Sequence, residues 1–236
     1  MITRFSIAAL VLAAGSQAVA SEITQVVPEA YTNTPGTASF IGPMAQGSRT
    51  NQYLIHESLL TGLVGKELTA VSWRLGSGST SAFPLADFTF ANFDIYLSAS
   101  VDPSERSTVF AENIVGEQTQ VRSGSLAVPA GSFTFGGSPN EFSFNIHFDN
   151  YEYTGGNLLL EVRHTGSGVT SRALDAISTS TDGYGTLFSA LWSSNYEAVD
   201  SGLQGNFVIP QFTAIPAPGA AGLLAMAGLA ATRRRR

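Results

Sequence analysis

Few side chains in this chain are suited to chemistry. There are three histidines, His56, His147 and His164, and no cysteine. Without thiols there are no disulfide staples, thiolate metal sites or cysteine nucleophiles. A serine nucleophile needs a base within hydrogen-bond reach. The sequence has no Gly-x-Ser-x-Gly elbow. Gly76-Ser77-Gly78-Ser79 reads as a turn between strands, not the strand-to-helix turn that an elbow requires. His147 falls on the polar face of an alternating run and His164 closes another, so both are expected to be surface or edge histidines. No His-x-x-x-His pair is present to signal an imidazole metal site.

The carboxylates and aromatics offer more. Asp149, Asn150 and Glu152 form an acidic stretch after a Phe-rich run and are the candidate ligands should the chain hold a structural calcium ion, which takes oxygen ligands. Asp87, Asn92 and Asp94 make a second oxygen-rich stretch; neither has EF-hand spacing, and Asp and Asn also serve as plain turn formers. A glycoside hydrolase needs two carboxylates facing each other across a cleft, roughly 5 to 9.5 Å apart. Glu161 is expected to point outward beside Arg163 as a surface ion pair, and the pattern sets no partner opposite it. Tyr151 and Tyr153 flank Glu152, while Trp192 precedes Ser193-Ser194-Asn195-Tyr196. Exposed, these rings would stack on sugars, as would Tyr96 and Tyr184; turned inward, they would cap the core.

The elements that must position these residues read as strands. Phe142-Ser143-Phe144-Asn145-Ile146-His147-Phe148 alternates apolar and polar with period two. Leu68 to Leu75 puts Val71, Trp73 and Leu75 on a buried face and Ser72 and Arg74 outside. Phe93 to Leu97, Gln118 to Val128, Leu158 to His164 and Phe207 to Phe212 follow the same rule; Gln52 to Glu57, Thr108 to Ile114 and Tyr184 to Ser189 follow it more loosely. Gly-, Pro- and Asp-rich breaks such as Gly136-Gly137-Ser138-Pro139-Asn140 and Gly155-Gly156-Asn157 carry turn chemistry. Only Ser58 to Val64 hints at a helix, and Tyr31 to Ser48 reads as an irregular lead-in or an early edge strand. The pattern predicts an all-β fold, an antiparallel jelly-roll-like β-sandwich over residues 21–214.

Charge points away from nucleic acid, and the two ends point to export. Of 12 basic residues, Arg4 lies near the start and Arg233 to Arg236 end the chain, so 7 remain between them against all 18 acids, a balance of −11. So acidic a body repels phosphate backbones. Residues 1–20 show a single charge, about ten apolar residues and Ala18-Val19-Ala20, the pattern of a signal helix cut by signal peptidase between Ala20 and Ser21.

Residues 215–236 contain Pro216-Ala217-Pro218, an apolar small-residue run from Gly219 to Ala231, and four arginines, Arg233, Arg234, Arg235 and Arg236. As a hydrophobic helix the run spans about 20 Å, short of the roughly 30 Å hydrocarbon core, so it fits transient insertion better than permanent anchoring. This arrangement resembles the PEP-CTERM sorting tail, in the variant where Ala217 stands for the middle Glu. The resemblance implies recognition by an exosortase, a membrane cysteine protease that removes the tail and sends the protein to the cell surface or outside. The body is similar to β-rich ectodomains that carry such tails, through Ala70 to Ser98 and Tyr153 to Glu161, and that likeness implies no assigned activity.

Together these features predict a secreted or cell-surface protein without catalysis or cofactor, structural or interacting in role. A carbohydrate-binding module for extracellular polysaccharide is the first alternative, and a concanavalin-like glycoside hydrolase the second.

Overall fold

The computed structural model describes residues 21–200 and 202–217. Ala18, Ala20, Pro218 and Arg233 to Arg236 lie outside the described residues, as do the two expected terminal helices. Ser21 is the first described residue and is exposed.

Among the described residues there are 15 strands, and every strand pair is antiparallel. In chain order they are β1 (Ile23–Val26), β2 (Ala38–Phe40), β3 (Arg49–Ile55), β4 (Lys66–Ser72), β5 (Phe88–Phe90), β6 (Phe93–Ser100), β7 (Ile114–Arg122) and β8 (Leu126–Val128). Then come β9 (Ile146–Tyr153), β10 (Leu158–His164), β11 (Leu174–Ile177), β12 (Phe188–Ser193), β13 (Leu203–Gln204), β14 (Phe207–Val208) and β15 (Gln211–Pro216). The largest sheet runs β13-β12-β3-β10-β6-β7 and a second runs β1-β15-β4-β9. Two small sheets, β14-β11-β2 and β5-β8, add residues to the same core. Helical elements among the described residues are 3-10 turns of three or four residues.

The sheets share one core, which makes the fold β-sandwich-like. Phe212 and Val71 from the four-stranded sheet meet Tyr53, Ile95 and Leu160 from the six-stranded one, with Leu174, Phe207 and Phe90 from the small sheets. The pattern behind this is alternation: Leu158, Leu160 and Val162 of β10 face the core together. The other face of the six-stranded sheet is covered as well. Phe110, Leu191 and Ala198 form a separate small cluster there, because residues 103–113 and 194–200 cross over it. That second cover is why β10 is buried on both sides.

Several expectations change. Ser58 to Val64 breaks into two 3-10 turns, Glu57–Leu59 and Thr61–Leu63. Any side chain at Gly62 would meet Gln25 Oε1 at 2.5 Å, since Gln25 reaches across to the Leu59 carbonyl. Gln118 to Val128 divides between β7 and β8, which lie in different sheets, with Gly124 turning the chain at φ +85°. The last strand runs past Ala214 to Pro216. Because β1 pairs only as far as Ala214, β15 has a partner on one side there, the edge-like setting that tolerates proline.

Ser72 and Arg74, expected outside, are both buried. Arg74 Nε donates to Asp175 Oδ2 at 2.8 Å, and its terminal nitrogens donate to the carbonyls of Tyr31, Thr32 and Thr34. The lead-in segment is thus fastened over that face by one guanidinium. Asp175 Oδ1 in turn accepts the Gly36 N–H at 2.9 Å. Burial pushes the Asp175 carboxyl up, against the pull of Arg74 and Gly36.

Candidate functional site

The residues singled out as ligand-binding do not form one surface. Asp149, Asn150, Tyr151, Glu152 and Tyr153 lie on β9, not in a loop. The β4–β9 register shifts between Leu68 and Ala70, so a bulge changes which side chains face inward, from Ile146 and Phe148 to Tyr151 and Tyr153. Tyr153 is buried with its hydroxyl donated to the Gly156 carbonyl, and Tyr151 packs against the core. Asn150 turns its amide nitrogen toward Glu67 Oε2 at 2.6 Å, which leaves a donor, not a ligand oxygen, on that side. Among the described residues, no group of three or more His, Asp or Glu side chains is placed to hold a metal.

Trp192 belongs to the inner side of β12. The Arg49 guanidinium lies 4.2 Å from its ring centre, Phe40 meets it edge-on, and a side chain at Gly205 would come within 2.8 Å of it. Tyr196 is on the opposite side of the same sheet, half-buried, with its hydroxyl donated to Asp94.

That opposite side carries the chemistry the structure brings together. The registers place Gln52, Glu161 and Tyr96 side by side across β3, β10 and β6, with Gln120 of β7 next in line. The adjacent row is Thr50, Arg163 and Asp94. Two carboxylates, Glu161 and Asp94, therefore share one face as diagonal neighbours. Glu161 does pair with Arg163, but it is fully buried, not on the surface. Its Oε1 takes Arg163 Nε, and its Oε2 takes Gln52 at 2.6 Å and Gln118 at 3.4 Å. Gln52 is itself held by Asn113 and the Phe110 carbonyl. Asp94 Oδ1 accepts the Gly124 N–H at 3.0 Å and Oδ2 accepts the Tyr196 hydroxyl. All four carboxylate oxygens are engaged.

Above this buried layer sit half-buried Tyr96, Arg163 and Tyr196 and exposed Gln120. Arg163 lies over the Tyr96 ring at 5.6 Å. Burial first, then the bond to Asp94, pushes the Tyr196 hydroxyl up to about 12, so it stays a donor. The Tyr96 hydroxyl moves up too, by burial and then Asp94.

Sequence reading also missed two histidine environments. His56 Nδ1 lies 2.9 Å from Ser58 Oγ, and its Nε2 lies 3.8 Å from Asp102. The order resembles a catalytic relay, but Nδ1 also accepts the Ser58 N–H at 3.2 Å, and Asp102 binds Ser104 through both N–H and hydroxyl. Both groups are caps for 3-10 turns, and 3.8 Å is too long for a hydrogen bond. His-x-Ser at 56–58 was the visible signal. His164, expected at an edge, is completely buried. No known protein family, curated protein or solved structure matches this chain.

Proposed function

We propose that this chain is an exported, non-catalytic surface or extracellular protein, a jelly-roll-like sandwich sorted by an exosortase through residues 215–236. The observation that favours binding or scaffolding over hydrolysis is the saturation of Glu161 and Asp94. A glycosidase acid must reach the glycosidic oxygen and its partner must reach water or the anomeric carbon. Here every oxygen of both groups is already held by Arg163, Gln52, Gln118, Gly124 or Tyr196.

A second reading, polysaccharide binding, is favoured by the patch of Tyr96, Arg163, Tyr196 and Gln120. Two tyrosine edges beside a guanidinium and an amide suit hydroxyl-rich ligands, and the layer beneath holds them rigid. This patch takes the place of Tyr151, Tyr153 and Trp192 in the carbohydrate reading, and keeps Tyr196.

One experiment addresses both. The full chain is expressed in a host with an exosortase, and the product is characterised by intact mass, glycan array and reducing-end release. The proposal predicts a surface or medium product lacking both ends and no sugar release. Retention of an intact tail would refute the sorting reading. Sugar release abolished by Glu161→Gln would refute the non-catalytic one. Glycan binding lost in Tyr96→Ala would establish the second reading; an array blank at every glycan would end it.

A further inference from the structure

On the inner face of β3, Arg49, Asn51 and Tyr53 follow one another at alternate positions. Arg49 Nε and Nη1, both amide atoms of Asn51 and the Tyr53 hydroxyl are all out of solvent and have no hydrogen-bond partner among the described residues. Asn51 is 1% exposed. A polar group buried without a hydrogen-bond partner loses its hydration with nothing in return, so five such atoms in one row call for a partner.

Arg49 stands apart from the other described arginines. Arg74, Arg106, Arg122, Arg163 and Arg172 each donate to a protein oxygen. Arg49 donates to none among the described residues, and no carboxylate there lies within ion-pair distance of it. Its guanidinium is fixed over Trp192, whose cross-strand neighbour is Asn51. The stacked cation is therefore carried to the side of the unpartnered amide. Across from Arg49, β10 presents His164. That ring is kept neutral, since its Nδ1 accepts the Gly166 N–H. Phe90 and Phe93 line its other sides.

We propose that this row, reached through half-buried Arg49, is a binding site for a small monovalent anion of the chloride or formate class, held by Arg49 Nε and Nη1 and the Asn51 amide nitrogen. The donors outnumber the acceptors, the one formal charge is positive, and no group among the described residues neutralises it. Burial, which pulls the Arg49 guanidinium down, agrees with a cation lacking its counter-charge. Water would satisfy the hydrogen bonds but not the charge.

The test exchanges potassium gluconate, too large for such a site, for potassium chloride or potassium formate at constant ionic strength, using the full chain. The site predicts a saturable rise in thermal midpoint with one of the two small anions. It also predicts that the His164 titration, followed by NMR, moves upward by about one pH unit, since a nearby negative charge favours the imidazolium. Asn51→Asp places a fixed carboxylate beside Arg49 and should remove the response to added anion while the fold persists. Asn51→Leu should remove it by deleting the donor. Overturning results are no saturable response in the unaltered protein, or an unchanged response in Asn51→Asp. A gain in stability for Asn51→Leu that is equal in gluconate, chloride and formate would assign the row to buried water only.

Discussion

Lowering the pH from 7 to 5 should destabilise this protein through His164. The ring is fully buried, with Phe90 and Phe93 centroids at 4.9 and 5.9 Å. Nδ1 accepts the Gly166 N–H at 3.1 Å, so Nε2 carries the proton toward the Gly42 carbonyl at 3.3 Å. A second proton would sit on Nδ1 and face an N–H that can only donate. Burial first, and then the Arg49 charge, pull the ring from 6.5 to about 4, with the Gly42 carbonyl opposing. Between those values the unfolded chain binds a proton that the folded chain refuses, so stability falls as pH falls through the window. At about 1.4 kcal/mol per pH unit, the full loss is about 3 kcal/mol, of which about 2 kcal/mol falls between pH 7 and pH 5. The assay is urea unfolding followed by tryptophan fluorescence at both pH values, for the unaltered protein and His164→Gln in the same buffer and salt. The unaltered protein should lose about 2 kcal/mol more than the variant over this interval. Equal losses in the two proteins would refute the reasoning, as would NMR titration of His164 near its ordinary value.

Other perturbations have equally direct readouts. Arg74→Ala leaves the Asp175 carboxylate buried without its partner and frees the lead-in segment; it should cost about 3–5 kcal/mol in urea unfolding. Gly36→Ala would set a methyl 2.2 Å from the Ala176 carbonyl oxygen, which should lower stability by about 1–3 kcal/mol, seen as a lower thermal midpoint. Leu160→Ala opens a cavity at the centre of the core and should cost about 2–5 kcal/mol by the same urea assay. Tyr196→Phe strips Asp94 Oδ2 of its donor and should cost about 1–3 kcal/mol, again by urea unfolding.

Much of the strand pattern was legible because alternation is a local property. Phe142, Phe144, Ile146 and Phe148 all pack against the core, although β9 begins only at Ile146, and Leu158 to His164 is a strand over its full length. The faces were legible only where nothing interrupts the alternation. A bulge in β9 reverses its parity between Phe148 and Tyr151, which turned two expected sugar-facing tyrosines inward. Polar residues were assigned to solvent by type, and that failed wherever a loop covers the second face of a sheet. Arg74 is buried under the lead-in, and Gln52 and Glu161 under residues 103–113. Such loops come from far away in sequence, so no local window contains both partners.

Composition and pattern by themselves determined the all-β class, the absence of thiol chemistry, the acidity of the body and the expectation of export signals at both ends. These depend on what residues are present and on period-two spacing, which the backbone pleat converts into faces. Tertiary structure alone decided the rest. It joined Glu161 to Asp94 on one face through strand registers and then tied off their oxygens. It buried His164 against Phe90 and Phe93, and it left Arg49 Nε and Nη1 and the Asn51 amide on one face of β3 without partners among the described residues. Each of these turns on distance and burial between residues remote in sequence, and burial changes the energy of a charge far more than the identity of its neighbours along the chain.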